Sequence, residues 1–424
     1  MARPVTSPFG GTWAIHDVRL AGQEESDPVD VLVAGDAVLD VGPGRAADVA
    51  DRVDGHGGLL LPAYVDTHIH LDKVLIRDQL AEHDGTLAGA IGSIHAAKRH
   101  YTVEDIRQRA RAVIESSVLT GTTRLRSHVD VDTIGGLVPL QGVVAAARDC
   151  ADIAEVRVIA FPQEGILRDP GAADLMAEAM RSGATVVGGM PHWERAGADQ
   201  LEHVRVCFDL AAAHDADVDM HVDETDDGSV RTLAMVVAET ERRGWQGRVT
   251  VGHVCALAAA DDEYAEEVIA GCARAGITVV ANPVTNLVLQ GRGDRGLIRR
   301  GTTRIRELMA AGVPVAFGQD CVQDGFYPFG RGDMLEVALI SAHTAHLTTL
   351  EEQLTALAAV TTTPARAFLG TGPAYGVVAG ARADLQLYEA GSWPEVLRLQ
   401  DPPRRVWHRG REVARTSIVR ELLR

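Results

Sequence analysis

Cysteine is scarce in this chain of 424 residues. The five present, Cys150, Cys207, Cys255, Cys272 and Cys321, are odd in number and scattered, with no Cys-x-x-Cys spacing. That pattern excludes a disulfide framework and a thiolate zinc site, and it fits a reducing cytoplasm. Positive charge is also in deficit: 41 Lys and Arg face 59 Asp and Glu, a formal charge of -18. An acidic surface repels phosphate backbones and anionic membranes, so no nucleic-acid partner is expected, and the charge reads as solubility. No run of about 18 apolar residues occurs, which excludes a membrane-spanning helix. The opening MARPVTSPFGGTW lacks the basic region and apolar core of a signal peptide. Aromatics are sparse at 4%, whereas Gly and Ala are abundant. A soluble, cytoplasmic protein is expected.

The length suits a large catalytic domain and a smaller one, because single cores rarely grow past ~250–300 residues. From about Pro62 onward, short apolar runs alternate with longer amphipathic stretches. Strands are expected at 63–70, 123–131, 156–163, 185–193, 218–224, 249–253, 278–283 and 313–320. Helices are expected at 103–120, 172–182, 201–214, 229–243, 262–275 and 303–311. The first of these starts from a Thr102-x-x-Asp105 box and stops before Gly121. Eight strands alternating with helices predict an α/β fold, a closed (β/α)8 TIM barrel rather than an open sheet. Both flanks read as short strands and turns, too little for separate cores. The expected organisation is a barrel over residues 61–370 beside a small β-sandwich domain built from both termini, 1–60 and 371–424. No internal repeat is present.

Side chains two apart on a strand point the same way. His68 and His70 therefore project together from the end of the first strand, a pairing that suits a divalent metal such as Zn²⁺ or Fe²⁺. In a (β/α)8 barrel the site forms at the C-terminal strand ends. Those ends read His68-Ile69-His70, Pro162-Gln163-Glu164, His221-Val222-Asp223-Glu224, His253 and Asp320. With 16 histidines in the chain, this concentration exceeds chance. His68, His70, His221 and Asp320 make a three-imidazole, one-carboxylate metal set with room for water. Glu224 stands beside that set without being an obvious ligand, as a group that takes a proton from water and delivers it to a substrate nitrogen. His253 is either a fourth imidazole ligand or a group that holds the attacking hydroxide. Gln163 carries both a donor and acceptors, suited to an amide-like edge of a heterocycle.

These residues lie in segments that resemble the cytosine deaminase-like branch of the metal-dependent amidohydrolase superfamily. The resemblance runs from about residue 12 to 415 through VDTHIHLD (65–72), RSHVDVD (126–132), IAFPQEGIL (159–167) and GGMPHWE (188–194). It continues through DMHVDETDD (219–227), VTVGHV (249–254), VANPVTNLVLQGRGD (280–294) and FGQDCVQDGFYPFG (317–330). It implies a barrel with a flanking β-sandwich and one Zn²⁺ or Fe²⁺ ion held at His68, His70, His221 and Asp320. It further implies a proton-shuttling Glu224, a hydroxide-orienting His253 and a substrate-binding Gln163. The residues alone suggest the same mechanism. Metal lowers the pKa of bound water toward ~7, Asp320 accepts the hydroxide proton as oxygen attacks the amino-bearing carbon, Glu224 protonates the ring nitrogen, and ammonia leaves.

The departures concern the substrate, a small heterocycle. After strand eight the cytosine-specific pattern reads Gly-His-Asp-Asp with a Trp soon after; here it is Gly318-Gln319-Asp320-Cys321, then Phe326. Loss of the second acid to Cys321 removes a strong acceptor for an NH-rich edge. Lys73, in HLDK, resembles relatives that hydrolyse N-alkylamino groups from triazines, and it is read either as a contact for an anionic substrate or as a solvated loop lysine. Deamination of a cytosine-like pyrimidine or triazine leads. Removal of an alkylamine, as from N-isopropylammelide, or opening of a cyclic amide is the alternative, and a non-catalytic barrel is disfavoured by the complete proton-transfer set. The PCxxC signature of nucleotide-editing deaminases is absent. Oligomeric state is left open, with a homo-oligomer allowed.

Overall fold

Eight short segments pair side by side in sequence order, each parallel to its neighbour. They are β1 (Tyr64–Ile69), β2 (Thr122–Asp130), β3 (Glu155–Phe161), β4 (Val186–Gly189), β5 (Asp217–Val222), β6 (Val249–His253), β7 (Thr278–Ala281) and β8 (Val315–Phe317). The structure is a computed structural model describing residues 11–80, 87–195, 197–296, 301–370, 372 and 374–423. Parallel neighbours need long crossovers, and helices such as Val103–Leu119, Ala172–Arg181 and Asp262–Ala275 supply them. Helices at Val138–Asp149, Met334–Thr344, Leu350–Val360 and Thr362–Leu369 add to those expected. Thr102 caps the first crossover helix as its box predicts, its hydroxyl accepting the Asp105 N–H at 3.2 Å. The barrel nearly closes through a single parallel bridge between Ile69 and Asp320. There the Asp320 N–H donates to the His68 carbonyl (2.6 Å), and the His70 N–H donates to the Asp320 carbonyl (3.1 Å).

Except for β6, which spans Val249–His253 as expected, the observed strands stop short of the expected ones. β3 ends at Phe161 because Pro162 has no N–H to continue the ladder. β8 spans only Val315–Phe317, and a 3₁₀ turn, Pro191–Trp193, follows β4. Most candidate site residues therefore lie just beyond their strands, where side chains turn over the barrel mouth. Along β2 the period of two is clear: Leu125 and Val129 join the main apolar core, while Arg126, His128 and Asp130 are buried polar groups.

The two flanks join as the sequence suggests. Leu59–Pro62 pairs antiparallel with Leu385–Leu387 and parallel with Thr12–Leu20. Strands from both ends form one eight-stranded mixed sheet. Its halves share a core that includes Val31, Leu60 and Leu385, with Trp13 and Trp407 stacked at 5.7 Å. Among the described residues, no helix is long and apolar enough to cross a membrane.

A buried ion pair ties this sheet to the barrel. Arg124 on β2 donates through Nη2 to Asp384 at 2.6 Å, and both side chains are fully buried. Burial opposes ionisation of Asp384, but His408 and Arg124 hold its carboxyl well below the usual range. Removing one member of a buried pair costs about 3–5 kcal/mol, so Asp384→Asn is expected to lower unfolding free energy by that order in denaturant titrations. An aspartate in the unfolded chain titrates near ~3.9, above the native value. The pair's contribution is thus present above that pH and fades as acid protonates the native carboxyl. Wild type should lose stability on acidification through that window, and the Asp384→Asn variant should lose less.

Candidate active site

At the C-terminal mouth of the barrel, four side chains from three strands converge. The His221 Nε2 stands 3.2 Å from His68 Nε2 and 3.1 Å from His70 Nε2. Asp320 Oδ1 lies 3.3 Å from His70 Nε2 and 3.6 Å from His68 Nε2. Four donors about 2.0–2.2 Å from one ion at tetrahedral angles would stand roughly 3.3–3.6 Å apart; the observed separations run from 3.1 to 3.6 Å, close enough for the set to fit a single divalent metal. Burial drives His68 and His221 well below their ordinary pKa, and burial with nearby Lys73 takes His70 to about 3. Neutral imidazoles are what a metal requires. Burial works against the Asp320 anion, yet His253 and His70 bring its pKa down to about 2.

Two glycines make room for this cluster. A Cβ on Gly252 of β6 would lie 2.5 Å from His68 Cε1 and 2.7 Å from its Nδ1. One on Gly318 would lie 2.7 Å from the His68 Cβ. Backbone strain concentrates here as well. Asp223 (φ 51°), His253 (φ 70°), Val254 (φ 52°) and Asp320 (φ 63°) all adopt left-handed backbone, which is rare for a β-branched valine. Such conformations cost about 1–3 kcal/mol each and gather at functional sites.

Beside the four donors lies a second group. His253 Nδ1 is 3.2 Å from Glu224 Oε1 and 3.2 Å from Asn286 Oδ1, and the Asn286 amide donates to Glu224 at 3.2 Å. The Asn282 amide nitrogen stands 3.3 Å from His253 Nε2. Burial raises Glu224 to about 7, with His253 pulling down and Asp320 pushing up. Sequence reasoning missed both asparagines, although Asn282-Pro283 at a strand end, with Pro opening the helix Pro283–Leu289, was a usable signal. It also missed His128, whose ring centroid lies 4.2 Å from that of His68 and whose Nε2 is 3.5 Å from Asp219 Oδ1. A histidine inside a strand looks like any core residue in sequence.

A cavity of about 240 Å³ opens onto both groups; Gln163, Cys321, Phe326 and Lys73 line it together with His70, His221, Glu224 and Asp320. Gln163 Nε2 meets the Met190 sulfur at 3.4 Å. Phe326 is half-buried and forms part of the apolar wall with Ile94. The Cys321 thiol turns toward Asp320 Oδ1 at 3.7 Å, and burial pushes it well above its ordinary pKa, so it is a neutral thiol. Lys73 departs most from expectation. It is only 1% exposed, with Nζ 2.6 Å from Asp130 Oδ1, 3.2 Å from His70 Nδ1 and 3.8 Å from Asp72. Its charge is matched by Asp130 and Asp72.

Comparison with known proteins bears on this arrangement. Residues 75–414 match the model of the amidohydrolase family. Over 392 residues the chain is 32% identical to a pterin deaminase of Rhizobium rhizogenes, covering 91% of this chain and 88% of that protein. The structure superposes on 5-methylcytosine deaminase from Klebsiella pneumoniae, solved with 5-fluorocytosine. The TM-score is 0.90 at 33% identity, covering 97% of this chain and 99% of the other. N-isopropylammelide isopropylaminohydrolase from Burkholderia multivorans aligns with a TM-score of 0.83 at 29% identity, covering 96% and 98%. The superposition on the deaminase covers 97% of this chain, the family match takes in 340 of its 424 residues, and the chain belongs to the amidohydrolase family.

Proposed function

We propose that this protein is a metal-dependent hydrolase that deaminates an aminated nitrogen heterocycle of the pyrimidine, pterin or triazine type. One observation carries the reading: three members of the four-donor cluster, His70, His221 and Asp320, line the same small cavity as Glu224, which is paired with His253, and that cavity has room for a planar ring. We assign His68, His70, His221 and Asp320 as ligands of one Zn²⁺ or Fe²⁺ ion. When bound, that ion supplies Lewis-acid polarisation and makes water a nucleophile at neutral pH. Asp320, with a carboxylate oxygen to spare, takes a proton from the attacking water. Glu224, raised to about 7 by its surroundings, starts ionised at neutral pH, takes a proton from the water and delivers it to the ring nitrogen. His253, held between Asn282, Asn286 and Glu224, steadies the oxygen of the tetrahedral centre. A proton returned to the amino group lets ammonia depart. Gln163 and Phe326 hold the ring edge and face.

The likeness to an N-isopropylammelide hydrolase and the neutral Cys321 in place of an acid favour a second reading, release of an alkylamine. A panel of amino- and alkylamino-pyrimidines, pterins and triazines, assayed for ammonia and for amine with metal content measured on the same sample, separates them. Ammonia release from at least one ring, at about one Zn or Fe per chain, is the expected result. Amine release alone would move the assignment to the second reading, and turnover that survives full removal of metal would refute both.

A further inference from the structure

Among the described residues, four carboxylates line the cavity: Asp130, Glu164, Glu224 and Asp320. The last two are assigned to proton transfer and metal. Asp130 is clamped, its Oδ1 2.6 Å from Lys73 Nζ and its Oδ2 2.6 Å from Lys98 Nζ. Glu164 remains. Its Oε1 receives His95 Nε2 at 2.7 Å and Lys98 Nζ at 3.5 Å. Its Oε2 takes no hydrogen bond or ion pair among the described residues, and the side chain is 14% exposed. The mount beneath it is elaborate. Lys98 is fully buried and also binds Asp132 at 2.7 Å. His95 and Lys98 both sit in the last turn of the helix Leu87–Lys98. Although burial disfavours the anion, His95 and Lys98 hold Glu164 below the usual carboxylate range. On the other wall, position 321 offers a thiol, a weak acceptor.

We propose that Glu164 is a specificity-determining residue, its free Oε2 accepting N–H groups from the ring edge away from the scissile C–N bond, with His95 and Lys98 as positioning residues. The inference rests on the heterocycle reading above and selects, within it, rings that carry a second amino group or a ring N–H on that edge. A hydrogen bond to a buried charged acceptor is worth about tenfold or more in affinity.

The test uses metal-loaded protein in a Glu224→Gln background, where turnover is stalled, and calorimetry at pH 9 with two neutral probes, 4-aminopyrimidine and 2,4-diaminopyrimidine. Tighter binding of the diamino ring, by about tenfold, is expected. Adding Glu164→Gln should cut that ratio at least fivefold, while Glu164→Asp, which keeps a shortened carboxylate, should retain part of it. Metal content should stay unchanged. Should the Gln variant not fold, the Asp variant decides by the same ratio. An unaltered ratio in the folded variant, or no preference in the Glu164 protein, overturns the proposal. A preference for the diamino ring without turnover of any heterocycle by wild type would leave Glu164 standing and sink the deaminase reading. Turnover without the preference would do the reverse.

Discussion

Glu224→Gln is expected to lower turnover on the best heterocycle by about 10²–10⁴-fold, the range typical of a lost general acid–base, with metal content unchanged. Glutamine keeps the shape and still accepts the Asn286 amide that reaches Glu224 Oε1 at 3.2 Å, so the site should stay assembled. What disappears is a proton that moves near neutrality. Burial raises this carboxyl to about 7, and a bound cation nearby shifts it downward, because positive charge favours the anion. Wild-type kcat/KM should therefore fall on the acid side as Glu224 becomes protonated, at or below that value. The residual activity of the Gln variant should lack that limb. A variant that keeps full turnover, or the same acid limb, would remove Glu224 from the mechanism.

Gly252→Ala should be nearly as severe by an entirely different route. The new Cβ would sit 2.5 Å from His68 Cε1, inside any tolerable contact. β6 cannot yield, because it is hydrogen-bonded to β5 on one side and β7 on the other. The imidazole must turn away from His221 and Asp320, which takes one of four donors out of the set. Affinity for Zn²⁺ in chelator competition should drop by at least the 10–100-fold seen when ligand orientation is lost, and turnover should fall with it. Gly293→Ala is the control, because a Cβ there meets nothing within 4 Å. Unchanged metal affinity in the Gly252→Ala variant would mean that His68 does not bind in the observed rotamer.

How much of this was legible in advance depends on the range of the interaction. Alternation along a strand is local, so His68 and His70 announce themselves as a pair, and the barrel rule places His221, His253 and Asp320 at the same rim. Helix caps are equally local, as Thr102 shows. The burial of Lys73 was hidden because its environment comes from β2: only when Asp130 arrives from 57 residues away does a loop lysine become a buried counter-ion. Asn282, Asn286 and His128 escaped notice for the same reason. Their polarity is ordinary until packing strips away water and leaves them facing a catalytic group.

The sequence by itself therefore determined the order of the barrel strands, the lack of paired cysteine spacing and of long apolar runs, and the four residues that converge as candidate donors, since these follow from periodicity, composition and spacing. The tertiary structure decided the rest. It nearly closes the barrel at Ile69 and Asp320, which brings residues 250 positions apart to 3.3 Å. It pairs Lys73 with Asp130, turns Cys321 toward Asp320 and sets Glu164 in the cavity wall. The reason is physical: a charge or a lone pair acquires its meaning from the groups that face it after water has been excluded, and those groups are neighbours only in the folded chain.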